Sequence, residues 1–307
     1  YFDDIEELMG IDTRLRNKFF YRIFWRLYCR TLEEKFLNKI SEQRPNFVLI
    51  IKGFYYSPRI YKKIKKLFPD LKLLYFNPDN SFINWHFGNS NRNILKSIPY
   101  FDLHLVWASF LIQKTYDRGA KRVELMQFAF DNSIFNFTNN KLHKDDEIDI
   151  SFIGSWDKER EKIIESILDY KIKIWGNGWE KSNKIIRERW QGSDVTGMDF
   201  KEICQNSKIN LNLVRVQNVP SHNMRSFEIP GIGGFMLSTY CSELDLIFKD
   251  NRLMSFTSLK ELKEKIDFFI DKPNERELLA LNAKEVVEGK HTYLHRIKII
   301  TKIISEL

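Results

Sequence analysis

Two successive series of short aliphatic runs, each run parted from the next by a helical stretch, constrain this chain more than any other feature. The first series is Asn46–Gly53, Lys72–Phe76, Leu103–Trp107 and Val123–Phe128. The second is Ile148–Ile153, Ile172–Trp175, Ile209–Val214, Gly234–Ser238 and Leu253–Phe256. Unbroken β-branched and aliphatic runs predict strands buried on both faces, as in parallel sheets. The stretches between them read as helices. One is opened by Ser57-Pro58, and another spans Ser109–Arg118 and is stopped by Gly119. Alternating strands and helices make parallel α/β units, here in two sets.

Asp131–Glu147, rich in Asn, Asp and Lys and without periodicity, reads as the linker between the sets. The expectation is an α/β chain of two Rossmann-like, doubly wound domains, residues 1–133 and 148–290, facing a central cleft at the carboxyl ends of their strands. Residues 291–307 follow as a helix with an apolar stripe of Tyr293, Leu294, Ile297, Ile300, Ile303 and Ile304. A stripe that wide needs a partner, and the helix is expected to return to the first domain. The chain opens on a long helix, about Arg14–Glu42, with Phe19, Ile23, Leu27, Leu32, Phe36 and Ile40 at helical spacing. A doubly wound domain normally begins with a strand, so the first domain is expected to lack its opening strand, which would precede Tyr1.

A length of 307 residues suits two domains. Cys29, Cys204 and Cys241 form no CxxC, which argues against a disulfide scaffold or a zinc site and fits a reducing cytoplasm. No apolar run approaches the roughly 20 residues of a membrane span, and the opening YFDDIEELMG is not a signal peptide. The net charge of +8 favours anionic partners such as nucleotides and acidic lipid headgroups, although most of it reads as background in a Lys-, Asn- and Ile-rich chain. Peripheral contact with the anionic inner face of a membrane fits that charge. Lys62, Lys63, Lys65 and Lys66 cluster as a solvated helix face would, and no nucleic-acid partner is expected.

Three local patterns suggest a ligand site. In Ser221–Ser238, a short helix capped by Ser221 or Asn223 is followed by a Pro/Gly break and a strand. Free N–H groups at such a helix start would bind phosphate. Arg225 and Glu228, three residues apart, share a face. Arg225 suits a diphosphate and Glu228 the hydroxyls of a ribose, while Gly231, Gly233 and Gly234 permit a close approach. A second pattern, Gly154-Ser155 followed by Arg160, is a strand-to-helix turn where nucleotide folds contact phosphate. The third, Trp175-Gly176-Asn177-Gly178-Trp179, would place a flat base between indoles. There is no Asp-x-Asp, GxxxxGK[ST], HExxH or GxSxG, and the six histidines are scattered, so neither a metal site nor a cofactor is expected.

Asn223–Ser238, Glu243-Leu244 and the closing His291-Thr-Tyr with Arg296 together resemble the carboxyl-terminal domain of CgeB-like glycosyltransferases, named after a spore-maturation protein. Gly154-Ser155 and Ile209–Asn212 belong to the same resemblance. So do Asp102–Trp107, Tyr116, Gly119–Lys121 and Gln127–Asp131 in the first domain. The resemblance implies a bacterial GT-B enzyme of glycan biosynthesis that moves a hexosyl or related group from a nucleotide-sugar to a glycan, lipid-linked or protein acceptor without a metal. Taken with the local patterns, it places the donor at Gly154, Ser155, Arg160, Gly176, Asn177, His222, Asn223, Arg225, Glu228, Gly233 and Gly234, and the resemblance itself sets Glu228 on the ribose. Related retaining enzymes carry an acidic residue eight positions before that glutamate. Here the position is Pro220, so the sugar contact must come from elsewhere, with His222 and Asn223 as candidates, and the stereochemical outcome stays open. Acceptor chemistry falls to Gly53, the Asn77-Pro78-Asp79 turn and His86. Asp79, His86 and Arg225 are the catalytic candidates, with Asp79 as base if the reaction inverts. The rival readings are a sugar-nucleotide epimerase of the same fold and a non-catalytic nucleotide- or nucleic-acid-binding protein.

Overall fold

The computed structural model describes residues 2, 18–83, 89–135 and 148–307. His86, expected near the acceptor, lies outside them, as does most of the expected linker. The chain divides into two compact units, Tyr1–Met126 with Leu307, and Gln127–Glu306.

The first unit holds a parallel sheet of β1 (Phe47–Ile51), β2 (Lys72–Phe76), β3 (Leu103–Val106) and β4 (Val123–Leu125), in the order β1-β2-β3-β4. The long helix Lys18–Gln43 sends Leu32, Phe36 and Ile40 into the core at its helical spacing, together with Tyr28 and Leu37, while Leu27 stays exposed. They meet Ile60, Tyr61, Ile64, Leu73 and Phe101 in one cluster. Pro58 occupies the first turn of the helix Pro58–Leu67, as the sequence suggests. Ser57, however, makes no side-chain cap there, and its N–H donates instead to Glu33 over 2.6 Å.

The expectation of a fully buried first strand is corrected. Among the described residues β1 pairs with β2 alone, at the edge of the sheet, and Phe47, Leu49 and Ile51 alternate to an exposed face while Ile50 is buried. An apolar run does not distinguish a strand covered on both faces from an edge strand covered on one.

The second unit holds β5 (Ile148–Ile153), β6 (Ile172–Trp175), β7 (Ser207–Asn212), β8 (Met236–Thr239) and β9 (Ser255–Phe256), all parallel, in the order β6-β5-β7-β8-β9. The order reverses between β5 and β7. Loops leaving these two neighbours run in opposite directions, which opens the crevice where doubly wound sheets take ligands.

Residues 127–133, assigned by the sequence to the first domain, cluster with the second unit. The reason is a short parallel bridge between Phe130 and Thr292. Phe130 N–H donates to His291 O and Tyr293 N–H to Phe130 O, each over 2.9 Å. The bridge falls where the tail breaks into two helices, Pro273–Lys290 and Tyr293–Ser305. Buried Arg296 locks the second of these, donating to Gln127 O (3.0 Å), Phe128 O (3.1 Å) and His291 Nδ1 (2.8 Å). Of the closing segment only Leu307, beyond the last helical turn, groups with the first unit.

Candidate functional site

At the reversal of the second sheet, the loops after β5, β6 and β7 are fastened to one another. Gly176 has a φ of +133°, and a Cβ on it would strike Gly154 O, so the two loops touch only because residue 176 is glycine. Trp156 N–H donates to Asn177 O (2.8 Å), and buried Trp179 donates its indole N–H to Gly154 O (2.8 Å). The expected base platform between Trp175 and Trp179 is therefore corrected: the Trp179 ring is wholly buried and pins loop backbone.

Arg160 spans the crevice. Its Nε and Nη2 donate to Leu213 O at 3.1 and 2.7 Å, and its Nη1 donates to Ser155 O at 2.8 Å. Burial, and then the charge of Arg215, pushes its pKa down to about 10. These backbone carbonyls occupy the guanidinium, which holds the ends of β5 and β7 together. Asp157 supports both arginines: one oxygen accepts from Arg160 N–H and caps the helix Lys158–Glu165, while the other lies 3.3 Å from Arg215 Nε.

The polar ladder continues along β7. Asn212, its last residue, is buried; Asn223 Nδ2 donates to Asn212 Oδ1 (2.8 Å), and Asn212 Nδ2 donates to Ser226 Oγ (3.0 Å). This fixes the start of the seven-residue helix Arg225–Gly231 at the carboxyl end of β7. Asn223 caps it, accepting from Ser226 N–H at 3.1 Å. The expectation of free N–H groups at this helix start does not extend to Ser226, Phe227 and Glu228. Ser226 N–H is taken by Asn223, and the N–H groups of Phe227 and Glu228 both donate to Met224 O. What the helix offers a ligand is side chains: Arg225 and Glu228 form an ion pair, both partly exposed, and the Arg225 guanidinium lies 4.1 Å from the centre of the Phe200 ring. Stacking on an aromatic face holds the guanidinium with little loss of its hydrogen-bonding edge.

Other expected residues lie elsewhere. His222 is wholly buried, with its Nδ1 2.9 Å from Ser221 Oγ and its ring edge-on to Phe128 and Phe227. Burial lowers its pKa against the opposing pull of Glu243. Ser221, an expected cap, donates to Glu243 instead. Gly233 and Gly234 precede β8 at the opposite edge of the sheet, beside Asn206 and Ser207. Gly233 takes a φ of +82° just past the helix end, and Gly234 passes close to Asn210 Nδ2. Gly231 is covered by the Phe130 ring. Gly231 and Gly234 thus lie close against other parts of the protein.

In the first unit, Lys52 and Gly53 end β1 with φ of +62° and +60°. A non-glycine residue in this region is strained and must be held there. Lys52 N–H donates to Phe76 O, and its carbonyl accepts from buried Tyr75 Oη, each over 2.8 Å. The turn delivers Lys52 Nζ to 2.8 Å from Asp79, whose own N–H donates to Asn77 Oδ1. Sequence reasoning missed Lys52, as it missed Arg215, Asn212 and Phe200. Only a strand-end lysine before glycine and a polar residue at a buried strand position hinted at the first and third. Among the described residues no group of three or more His, Cys, Asp and Glu is placed to hold a metal, and no helix is long and apolar enough to cross a membrane.

Residues 158–302 match a family model described as glycosyl transferase-like. No curated protein sequence matches the chain. Solved structures do, at low identity. The lipopolysaccharide outer core galactosyltransferase WaaB, in its apo form, aligns with a TM-score of 0.59 and 13% identity over 92% of this chain and 81% of its own. An E. coli trehalose-6-phosphate protein bound with UDP-2-fluoro glucose aligns with a TM-score of 0.62 and 10% identity, over 91% and 77%. A Listeria monocytogenes structure assigned as a UDP-N-acetylglucosamine 2-epimerase aligns with a TM-score of 0.55 and 12% identity, over 92% and 80%. The glycosyl transferase-like match spans most of the second unit, and the two parallel α/β sheets have the GT-B type of fold of these neighbours.

Proposed function

We propose that the second unit binds a nucleotide-sugar and that the chain transfers its glycosyl group, without a bound metal, to a glycan, lipid-linked or protein acceptor at the cytoplasmic face of an anionic membrane. One observation carries the reading: the Arg225–Glu228 pair, set on a capped helix at the end of β7 and stacked on Phe200, lies within the span that matches glycosyltransferases. Glu228 is assigned to the ribose hydroxyls and Arg225 to the diphosphate. As the bond from the anomeric carbon to the diphosphate breaks and the acceptor oxygen takes its place, charge grows on the leaving group, where Arg225, with Arg215 nearby, stabilises it. Gly154, Ser155, Gly176 and Asn177 form the neighbouring loops. Asp79 and Lys52 at the strand ends of the first unit are assigned to the acceptor, with Asp79 taking its proton in an inverting reaction. The similarity of both WaaB and the UDP-2-fluoro glucose complex supports a sugar-nucleotide donor. The Listeria structure keeps a second reading, sugar-nucleotide epimerisation, in view.

A thermal-shift screen of nucleotide-sugars tests the donor assignment. At 100 times its Kd the right donor stabilises the fold by about 2.7 kcal/mol. Release of free nucleotide that depends on an acceptor supports transfer, whereas interconversion of two sugar-nucleotides without nucleotide release supports epimerisation. No shift with any nucleotide-sugar would defeat both.

A further inference from the structure

We propose that the closing helix Tyr293–Ser305 docks the chain on an anionic lipid bilayer. Its inner side is set by Thr292 and Arg296, both buried, with Arg296 tied to the backbone at Gln127 and Phe128. About 100–160° around the helix from Arg296, at 100° per residue, stand Leu294 and Ile297, which are 60% and 58% exposed, with Tyr293 beside them at 39%. Large aliphatic side chains left in water side by side mark a surface with a partner.

Charge identifies that partner. From Gly289 to Ser305 the chain has no acidic residue. Lys298 and Lys302, one helical turn apart and both exposed, border the apolar face, and exposed Lys290 precedes the helix. Aliphatic residues flanked by lysines on an amphipathic helix suit the boundary between headgroups and acyl chains of a bilayer with negative lipids. A protein partner of the same apolar shape would not require an unbroken absence of acid over 17 residues. Arg296 gives the helix a fixed footing, so the face is presented without any ordering cost on contact.

This docking rests on the reading above only for its purpose, bringing the enzyme to an acceptor at a membrane; the binding itself does not need sugar transfer. Co-sedimentation of the full chain with phosphatidylglycerol/phosphatidylcholine vesicles should show binding that falls with added salt and is at least tenfold weaker on phosphatidylcholine alone. Lys298→Gln with Lys302→Gln should weaken it about 25-fold, roughly fivefold per lysine. Leu294→Ser with Ile297→Ser should weaken it at least tenfold. Both variants should keep the wild-type melting temperature and the donor-induced thermal shift, because Tyr293, which feels the charge of Glu228, is left intact and none of the four substituted residues is assigned to the donor. Binding indifferent to lipid charge or unchanged in both variants would overturn the proposal. So would a wild-type chain that dimerises through this face without vesicles, or aliphatic replacements that lower the melting temperature, since the face would then be covered by protein. Loss of the donor shift with vesicle binding intact would instead count against the donor assignment alone.

Discussion

In the second sheet the strand order turns back between β5 and β7, whereas the four described strands of the first run β1-β2-β3-β4 without a reversal. The carboxyl edges differ accordingly. At the reversal, diverging loops leave backbone carbonyls facing a gap, and Arg160 fills it, bonded to Ser155 O and Leu213 O. Polar residues then extend inward along β7 itself, where Asn210 and Asn212 are both buried. Along the four described strands of the first sheet no such crevice is bridged. Its polar groups stay local: the strained Lys52 turn, the Asn77–Asp79 turn and the ion pair between them. The lesson is that the charge at the two edges does different work. In the second unit part of it is structural, as at Arg160, while Arg225, Glu228 and Arg215 remain partly exposed; in the first the charged pair lies open to solvent.

The sharpest way to break this contrast is Arg160→Ala. It leaves two carbonyls without their charged donor in a buried place, and a cost of about 3–5 kcal/mol is expected. Urea denaturation of wild type and variant measures it. A loss below about 1 kcal/mol would show that the reversal does not depend on this tie. Lys52→Ala, an exposed pair by comparison, should cost less than about 1 kcal/mol in the same experiment.

A second test uses the histidine hidden in the first unit. Burial holds His104 at about 4, against the opposing effect of its 2.9 Å contact with Ile98 O. The unfolded chain binds this proton near pH 6.5, so between those values the unfolded state carries more protons than the folded one. Stability is therefore complete above about pH 6.5 and falls as pH drops towards 4, by about 3 kcal/mol for this group. In the second unit, burial and Arg296 depress His291 to about 4 in the same direction, but it is more exposed and contributes less. Denaturation midpoints from pH 7 to 4 should show the fall, and His104→Phe should flatten most of it. An unchanged slope in that variant would place the pH dependence elsewhere.

Gly231→Ala sharpens the comparison from the packing side. Its methyl would press on the Phe130 ring, which the Thr292 bridge holds in place, and a loss of about 1–3 kcal/mol is expected from overpacking. If the variant kept its stability but lost nucleotide affinity, Gly231 would be a ligand contact after all.

Much of this was legible before any coordinates. β2, β5 and β6 begin and end where the aliphatic runs do, and the two-series pattern marks two parallel sheets. Arg225 and Glu228 were readable because three-residue spacing fixes a shared helix face. What escaped the sequence was set by tertiary geometry. Arg160 pointed to phosphate until Leu213, 53 residues away, was seen to take its donors. Gly231, just after Pro230, suggested ligand approach, but the group that meets it is Phe130, about 100 residues earlier in the chain. Lys52 carried no motif, since its place beside Asp79 follows from a backbone angle and not from a pattern of residue types. The edge position of β1 was equally invisible, because strand order is decided by pairings that no single run contains.

The division of labour between the two units can be measured directly by titrating the chain with its nucleotide donor in a calorimeter. Glu228→Ala should weaken donor binding by roughly 1.5–3 kcal/mol through loss of a charge-assisted hydrogen bond. Asp79→Ala should leave it unchanged while abolishing transfer. Unaltered affinity in Glu228→Ala, or a loss of affinity in Asp79→Ala as large as the one expected there, would contradict the assignment of the donor to the second sheet.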